Sequence, residues 1–183
     1  MRKHSPLVLL VAFGAAMLVG CDLFTVPDGG GGDEPPPEWQ DPTTPEILIE
    51  DLEYTYNEAD HLKYVELLHE DFVFYFDEED VGGDIPSSWG YQDEIDATEN
   101  LFEKAQAFNI TLDLIIPGDY TDPEEGEDEM WVYDVAYDLR VRIDDTTYLA
   151  QATANYNCVV DGTVDSGADR WRFLQWYDIV PNT

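Results

Sequence analysis

The stretch Trp131-Val132-Tyr133-Asp134-Val135-Ala136-Tyr137-Asp138-Leu139-Arg140-Val141-Arg142-Ile143 decides the fold. Trp131, Tyr133, Val135, Tyr137, Leu139, Val141 and Ile143 share one face, and Asp134, Asp138, Arg140 and Arg142 the other, a period of two that only a strand satisfies. One face is destined for a core and the other for water, as in an antiparallel sheet covered on one side. Asp144-Asp145-Thr146 then supplies a tight turn into Tyr148 to Val160, where Tyr148, Ala150, Ala152, Ala154, Tyr156 and Cys158 line one face. Upstream, Phe108, Ile110, Leu112, Leu114 and Ile116 alternate with polar residues until Pro117-Gly118. Downstream, beyond Asp161-Gly162 and Ser166-Gly167, Arg170 to Val180 closes the sheet. Trp171 and Phe173 lie on one face of that last strand and Trp176 on the opposite one, unless a bulge between them restores both tryptophans to the core.

Before the strands the period is helical. Thr44 caps, Pro45 suits the first turn, Glu46 favours the helix dipole, and Ile47, Leu48, Leu52, Tyr56 and Ala59 recur at three and four. A break near Asn57 to Asp60 precedes a second helix with Leu62, Val65, Leu67 and Leu68, ending near His69. Phe72 to Phe76 is too aromatic and β-branched to remain helical and reads as a short strand. After the acidic loop Asp77 to Pro86, Tyr91 to Ala107 carries Ile95, Leu101, Phe102 and Ala105 at helical spacing.

Three helices followed by long strands predict an α+β domain, the helices packed on one face of a curved mixed or antiparallel sheet. Three segments narrow this. Tyr64-Val65-Glu66-Leu67-Leu68-His69-Glu70-Asp71-Phe72-Val73-Phe74, then Trp89-Gly90 before a helix, then Trp171-Arg172-Phe173-Leu174-Gln175-Trp176-Tyr177-Asp178 together resemble the nuclear transport factor 2-like superfamily over residues 45–183. The resemblance implies a cystatin-like cone with a pocket between sheet and helices. It also implies a range of roles, from ketosteroid isomerases, SnoaL-type cyclases and scytalone dehydratases to modules that bind ligands or dimerise, so the fold leaves function open.

An isomerase or cyclase of this kind needs an interior carboxylate or histidine and a donor for the substrate oxygen. The core-facing positions of the three long strands before the last are apolar, Tyr or Cys, and their acids fall on the outer face. His69, Asp71 and Asp178 are the weak candidates for a base, each more readily explained by local hydrogen bonding or a surface position. Tyr56, Trp89, Tyr133, Tyr137, Tyr148, Tyr156 and Trp171 are the candidate pocket walls, suited to a small apolar or amphipathic ligand, although aromatics fill any core. A buried acid beside two tyrosines in an open cavity would favour catalysis. Its absence favours a non-catalytic binding or assembly module, the leading expectation, with an isomerase, cyclase or dehydratase as the alternative.

The N-terminus gives the address. Arg2 and Lys3 precede an uncharged run from Leu7 to Leu18, too short to span a bilayer, and Leu18-Val19-Gly20-Cys21 resembles the lipobox of bacterial lipoprotein precursors. The resemblance implies cleavage between Gly20 and Cys21, acylation of Cys21 (palmitate among the chains) and a lipid-anchored place in the cell envelope. Residues 1–20 are then the signal, 21–44 a Gly- and Pro-rich acidic tether, and 45–183 the domain.

Composition bounds the partners. Eight Lys and Arg face 41 Asp and Glu, a formal net charge of −33, which repels nucleic acid and anionic headgroups. Membrane contact is therefore expected through lipidated Cys21 alone. With Cys21 committed, Cys158 is a lone, strand-embedded thiol, and no zinc-type Cys/His cluster or cofactor motif exists. The acidic loops Asp77 to Asp80 and Asp122 to Glu129 offer at most weak divalent-cation binding, lacking the alternating spacing of an EF-hand. A homodimer through the open sheet face is a further expectation of the resemblance.

Overall fold

A computed structural model describes residues 38–179, except 79, 83–84 and 122–129, and except the side chains of 114–121, 130 and 131. Cys21, the signal and the tether, like the loop Asp122 to Glu129 and the side chain of Trp131, lie outside the described residues. The elements run α1 (Pro45–Glu58), α2 (His61–Glu66), β1 (Leu68–Tyr75), β2 (Ser88–Gly90), α3 (Tyr91–Lys104), β3 (Ala107–Thr121), β4 (Met130–Ile143), β5 (Thr146–Thr163) and β6 (Asp169–Ile179).

Local chemistry sets the helix ends. Thr44 Oγ1 accepts from the Ile47 amide at 3.3 Å, Pro45 opens α1, and Ala59, at φ 51°, turns the chain out of it. Asp60 at once caps α2 by accepting from the Lys63 amide at 3.1 Å. Strand β1 begins at Leu68, four residues ahead of the aromatic run that announces it, so His69 sits on a strand and His61 on a short helix, with no shared helical face. β2 is three residues long and carries no sequence signal of its own beyond Trp89-Gly90.

The six strands form one mixed sheet in the order β2-β1-β6-β5-β4-β3. β3, β4, β5 and β6 pair antiparallel in sequence, and β1 inserts parallel to β6 with β2 at its outer edge. The hairpin between β4 and β5 turns on Asp144 at φ 54°, a left-handed conformation that Asp tolerates. α1 lies across β3 and β6, and α3 against β1. The free edge of β3 is satisfied by α1: Asn57 bridges both the amide and the carbonyl of Ile110 at 2.8 and 3.1 Å, and Glu53 accepts from the Leu112 amide at 3.0 Å. Covering an edge in this way blocks pairing with another chain.

The core between helices and sheet is aromatic. Tyr56 meets Tyr64 and Phe102 edge-on, at 5.7 and 5.3 Å between centroids, and Tyr156 packs on Phe173 and Trp176, each at 4.9 Å. Such pairs contribute about 1 kcal/mol each beyond their buried area. Ahead of α1, residues 39–42 form a strap. Trp39 packs on Tyr54 and beneath the Lys63 ammonium, the Gln40 amide donates to buried Asp51 at 2.9 Å, and Pro42 accepts from the Trp171 amide at 2.8 Å. Burial pushes the Asp51 carboxyl up to about 7 against the restraining Gln40 bond.

β6 carries the bulge that its tryptophans require. Phe173 pairs with Cys158 and Gln175 with the adjacent Asn157, so Leu174 is an extra residue and the alternation resets behind it. Trp171 and Phe173 before it, and Trp176 and Asp178 after it, are all buried.

Candidate functional site

A cavity of about 140 Å³ lies between α1, α3 and the sheet at the end where β1 and β6 finish and β4 turns into β5. Tyr56, Leu101, Ile110, Leu139, Val141 and Trp176 are among its walls, and half-exposed Leu149 sits among its residues. Small Ala150 on β5 leaves room that a larger side chain would fill. Two carboxylates line this otherwise apolar space, Asp178 from β6 and Glu94 from α3.

Asp178 is only 5% exposed. Its Oδ1 accepts from the Tyr137 hydroxyl at 3.0 Å, and its Oδ2 is buried with no partner among the described residues. Burial is the main cause of a carboxyl pushed up to about 6; the Tyr137 bond and, more weakly, the Ile179 backbone amide oppose the rise, and the charges of Asp80 and Asp77 add to it. Two further buried polar atoms of cavity residues lack described partners, the Tyr156 hydroxyl and the Trp176 indole nitrogen. Register brings them together: Tyr156 pairs with Trp176, and Ala154 with Asp178, two residues further along the same face. Tyr56, Tyr137 and Asp178 lie close enough to Tyr156 to raise its hydroxyl further above the ordinary range, burial being the first cause. The cluster thus offers one acceptor, Asp178 Oδ2, and two donors, Tyr156 Oη and Trp176 Nε1, on an apolar ground.

Glu94, 4% exposed, is saturated instead. Its Oε1 accepts from Tyr64 Oη at 2.5 Å and Thr98 Oγ1 at 3.1 Å, and its Oε2 from Trp89 Nε1 at 2.7 Å. Burial raises its carboxyl, and all three donors oppose that rise. The same burial, with Glu94 beside it, holds the Tyr64 hydroxyl well above its ordinary range, so Tyr64 keeps its proton and donates.

Of the aromatic residues singled out in the sequence, Tyr56, Trp89, Tyr137, Tyr148 and Tyr156 line the cavity. Tyr133 and Trp171 do not. Tyr133 donates to Glu46 at 2.9 Å near the start of α1, and Trp171 belongs to the opposite end of β6 beside the strap. Asp71 stands outside the cavity: its side chain is 81% exposed, and its backbone amide donates to His69 Nδ1 at 3.0 Å. His69 accordingly faces that turn and not the cavity. Asp178 reverses its sequence reading, because the Leu174 bulge that brings Trp176 inward carries Asp178 with it. That parity was the available signal. Glu94 had a weaker one, a lone acid on the buried side of α3. Cys158 is buried and free, its thiol pushed up by burial, an inert packing residue. Among the described residues no group of three or more His, Cys, Asp or Glu could hold a metal ion, and no helix is long and apolar enough to cross a membrane.

No protein-family model matches the sequence, and no curated protein matches it significantly. Solved structures do match in shape. A candidate aromatic ring hydroxylase from Novosphingobium aromaticivorans superposes with a TM-score of 0.55 at 13% identity, covering 78% of this chain and 90% of its own. A conserved protein from Planctomyces limnophilus gives 0.54 at 10% identity, covering 72% and 89%. A candidate scytalone dehydratase from the same Novosphingobium species gives 0.52 at 12% identity, covering 73% and 78%. Identities this low carry the likeness no further than the fold. Helices on one face of a mixed, curved six-stranded sheet, with a cavity between them, give this chain a fold like that of the nuclear transport factor 2-like cones.

Proposed function

We propose that the domain takes a small, neutral, largely apolar molecule into the cone and moves a proton on it, in the manner of an isomerase, cyclase or dehydratase. The observation that carries this reading is Asp178: one carboxylate oxygen held by Tyr137, the other unpartnered in an apolar cavity. A base needs a carboxyl poised near working pH and within reach of the substrate, and burial brings Asp178 to about 6. Tyr156 Oη and Trp176 Nε1 supply donors for an oxygen that gains charge as the proton leaves. The cavity wall and the net charge of −33 both disfavour an anionic ligand.

Deuterium incorporation beside the carbonyl of small cyclic ketones, followed by NMR in heavy water, tests the reading. The wild-type chain should accelerate exchange and Asp178→Asn should lose at least about 100-fold of that rate while still binding phenol. Equal rates for the two proteins, or no acceleration by either, would sink the catalytic role and leave a binding module.

The Leu18-Val19-Gly20-Cys21 motif supports delivery to the bacterial envelope as a lipoprotein held through Cys21, with residues 21–44 as a spacer. Detergent-phase partitioning of the expressed precursor checks this. The wild type should enter the detergent phase and Cys21→Ser should not; partitioning unchanged by the substitution would refute anchoring through Cys21.

A further inference from the structure

We infer that Glu94 is a positioning residue that pins Trp89 as one wall of the cavity and so limits the site to ligands of a single ring. This rests on the small-ligand reading above and adds what sets the ligand's size. β2, which carries Trp89, is three residues long, sits at the sheet's edge and pairs only with β1, through Val73–Gly90, Phe74–Trp89 and Tyr75–Ser88. So short an edge strand is weakly fixed by its own ladder. The Trp89 ring nevertheless forms a wall, packed on Phe74 at 5.6 Å and edge-on to Phe76 at 4.8 Å.

What holds that ring from the other side is Glu94 on α3, through Trp89 Nε1–H to Oε2 at 2.7 Å. The carboxylate is itself immobilised, because Tyr64 and Thr98 occupy Oε1 and both hydroxyls are buried. A charge-assisted bond from a fixed acceptor is stronger than a neutral one, and an indole has a single donor to spend on it. The tie therefore joins the helix layer to the outermost strand across the cavity's β1–β2 side. A volume of about 140 Å³ leaves room for one ring with that wall in place, since an apolar cavity of about 150 Å³ takes up benzene. A second fused ring must either project toward half-exposed Leu149 or move a wall, and Trp89 stands on a wall carried by a three-residue edge strand.

Nearly isosteric variants separate the tie from simple loss of bulk. In Glu94→Gln the amide oxygen can accept from Trp89 while its NH₂ donates to the Tyr64 and Thr98 hydroxyls; in Glu94→Met nothing can accept. With the full chain, phenol and 2-naphthol affinities are measured by calorimetry, and exchange of the Trp89 indole N–H by NMR. The naphthol-to-phenol affinity ratio should rise about tenfold in Glu94→Met and stay near the wild-type value in Glu94→Gln. The indole N–H should exchange slowly in wild type and Glu94→Gln and fast in Glu94→Met. An unchanged ratio in folded Glu94→Met, an equal rise in Glu94→Gln, or a wild-type indole that exchanges as fast as an exposed one would overturn the assignment. Should Glu94→Met not fold, the wild-type and Glu94→Gln indole rates still decide. If neither phenol nor naphthol binds wild type, the small-ligand reading fails, and the indole rates judge the tie alone.

Discussion

Two carboxylates face one cavity, and their surroundings differ most in how many donors reach them. Glu94 has three side-chain donors on its two oxygens, whereas Asp178 has one side-chain donor, Tyr137, the backbone amide of Ile179 beside it, and an Oδ2 with no described hydrogen-bond partner. Both are buried and both are pushed above the ordinary carboxylate range by that burial. The saturated group joins a helix, an edge strand and α2 into one body; the half-satisfied group keeps one acceptor free among the described residues for a ligand, a water or a proton. Asp51 also has a buried oxygen with no described partner, so it is the place of Asp178 on the cavity wall, more than its open acceptor alone, that supports the proposed proton transfer, while Glu94 ties elements together.

The comparison breaks most visibly in stability. Glu94→Ala strands the Tyr64 hydroxyl, the Thr98 hydroxyl and the Trp89 indole together. At roughly 1–3 kcal/mol per buried unpaired group, a loss of about 4 kcal/mol in urea unfolding is expected. A loss below about 1 kcal/mol would show that the three donors find other partners and that Glu94 holds nothing together.

Asp178→Asn should act in the opposite sense and by less. The folded carboxyl holds its proton more tightly than the unfolded one, at about 6 against 3.8. Folding is therefore favoured at low pH, and that contribution disappears as pH rises from about 4 to about 6, levelling off above. Replacing the acid removes the cost of ionising it, so Asp178→Asn should match wild type near pH 4 and exceed it by about 2–3 kcal/mol at pH 7. Buried Asp51, pushed up to about 7, leaves a similar slope in both proteins, which is why the difference between them is the quantity to measure. A difference that does not grow with pH would mean that Asp178 ionises as freely as an exposed acid, and the contrast with Glu94 would collapse.

How much of this was legible follows from which interactions are local. The long strands β4 and β5 were readable because alternation is a property of neighbours in sequence, and α1 because Thr44, Pro45 and Glu46 state its start. β2 was not, since three residues carry too short a pattern and form a strand only because β1 is beside them. The start of β1 at Leu68 was hidden for a related reason: its first residues take their conformation from Phe173 of β6, far along the chain. The site was half visible. Five of the aromatic walls could be named from strand and helix faces, yet the acid among them depended on the parity shift at Leu174, and the saturation of Glu94 on three side chains from three different elements. Trp89 and Thr98 lie within five residues of Glu94, but the third donor, Tyr64, is thirty residues away, and the register shift at Leu174 is set by its pairing with β5.

The strap at residues 39–42 has a mechanical consequence. It is clamped to Asp51 and to the Trp171 amide at the start of β6, while the cavity lies seven residues further along that strand, roughly 20 Å away. Any load applied through the chain ahead of residue 38 enters the domain at the strap. There it is shared between the middle of α1, through Asp51, and the start of β6, through the Trp171 amide, the two elements that carry Tyr56 and Asp178 to the cavity.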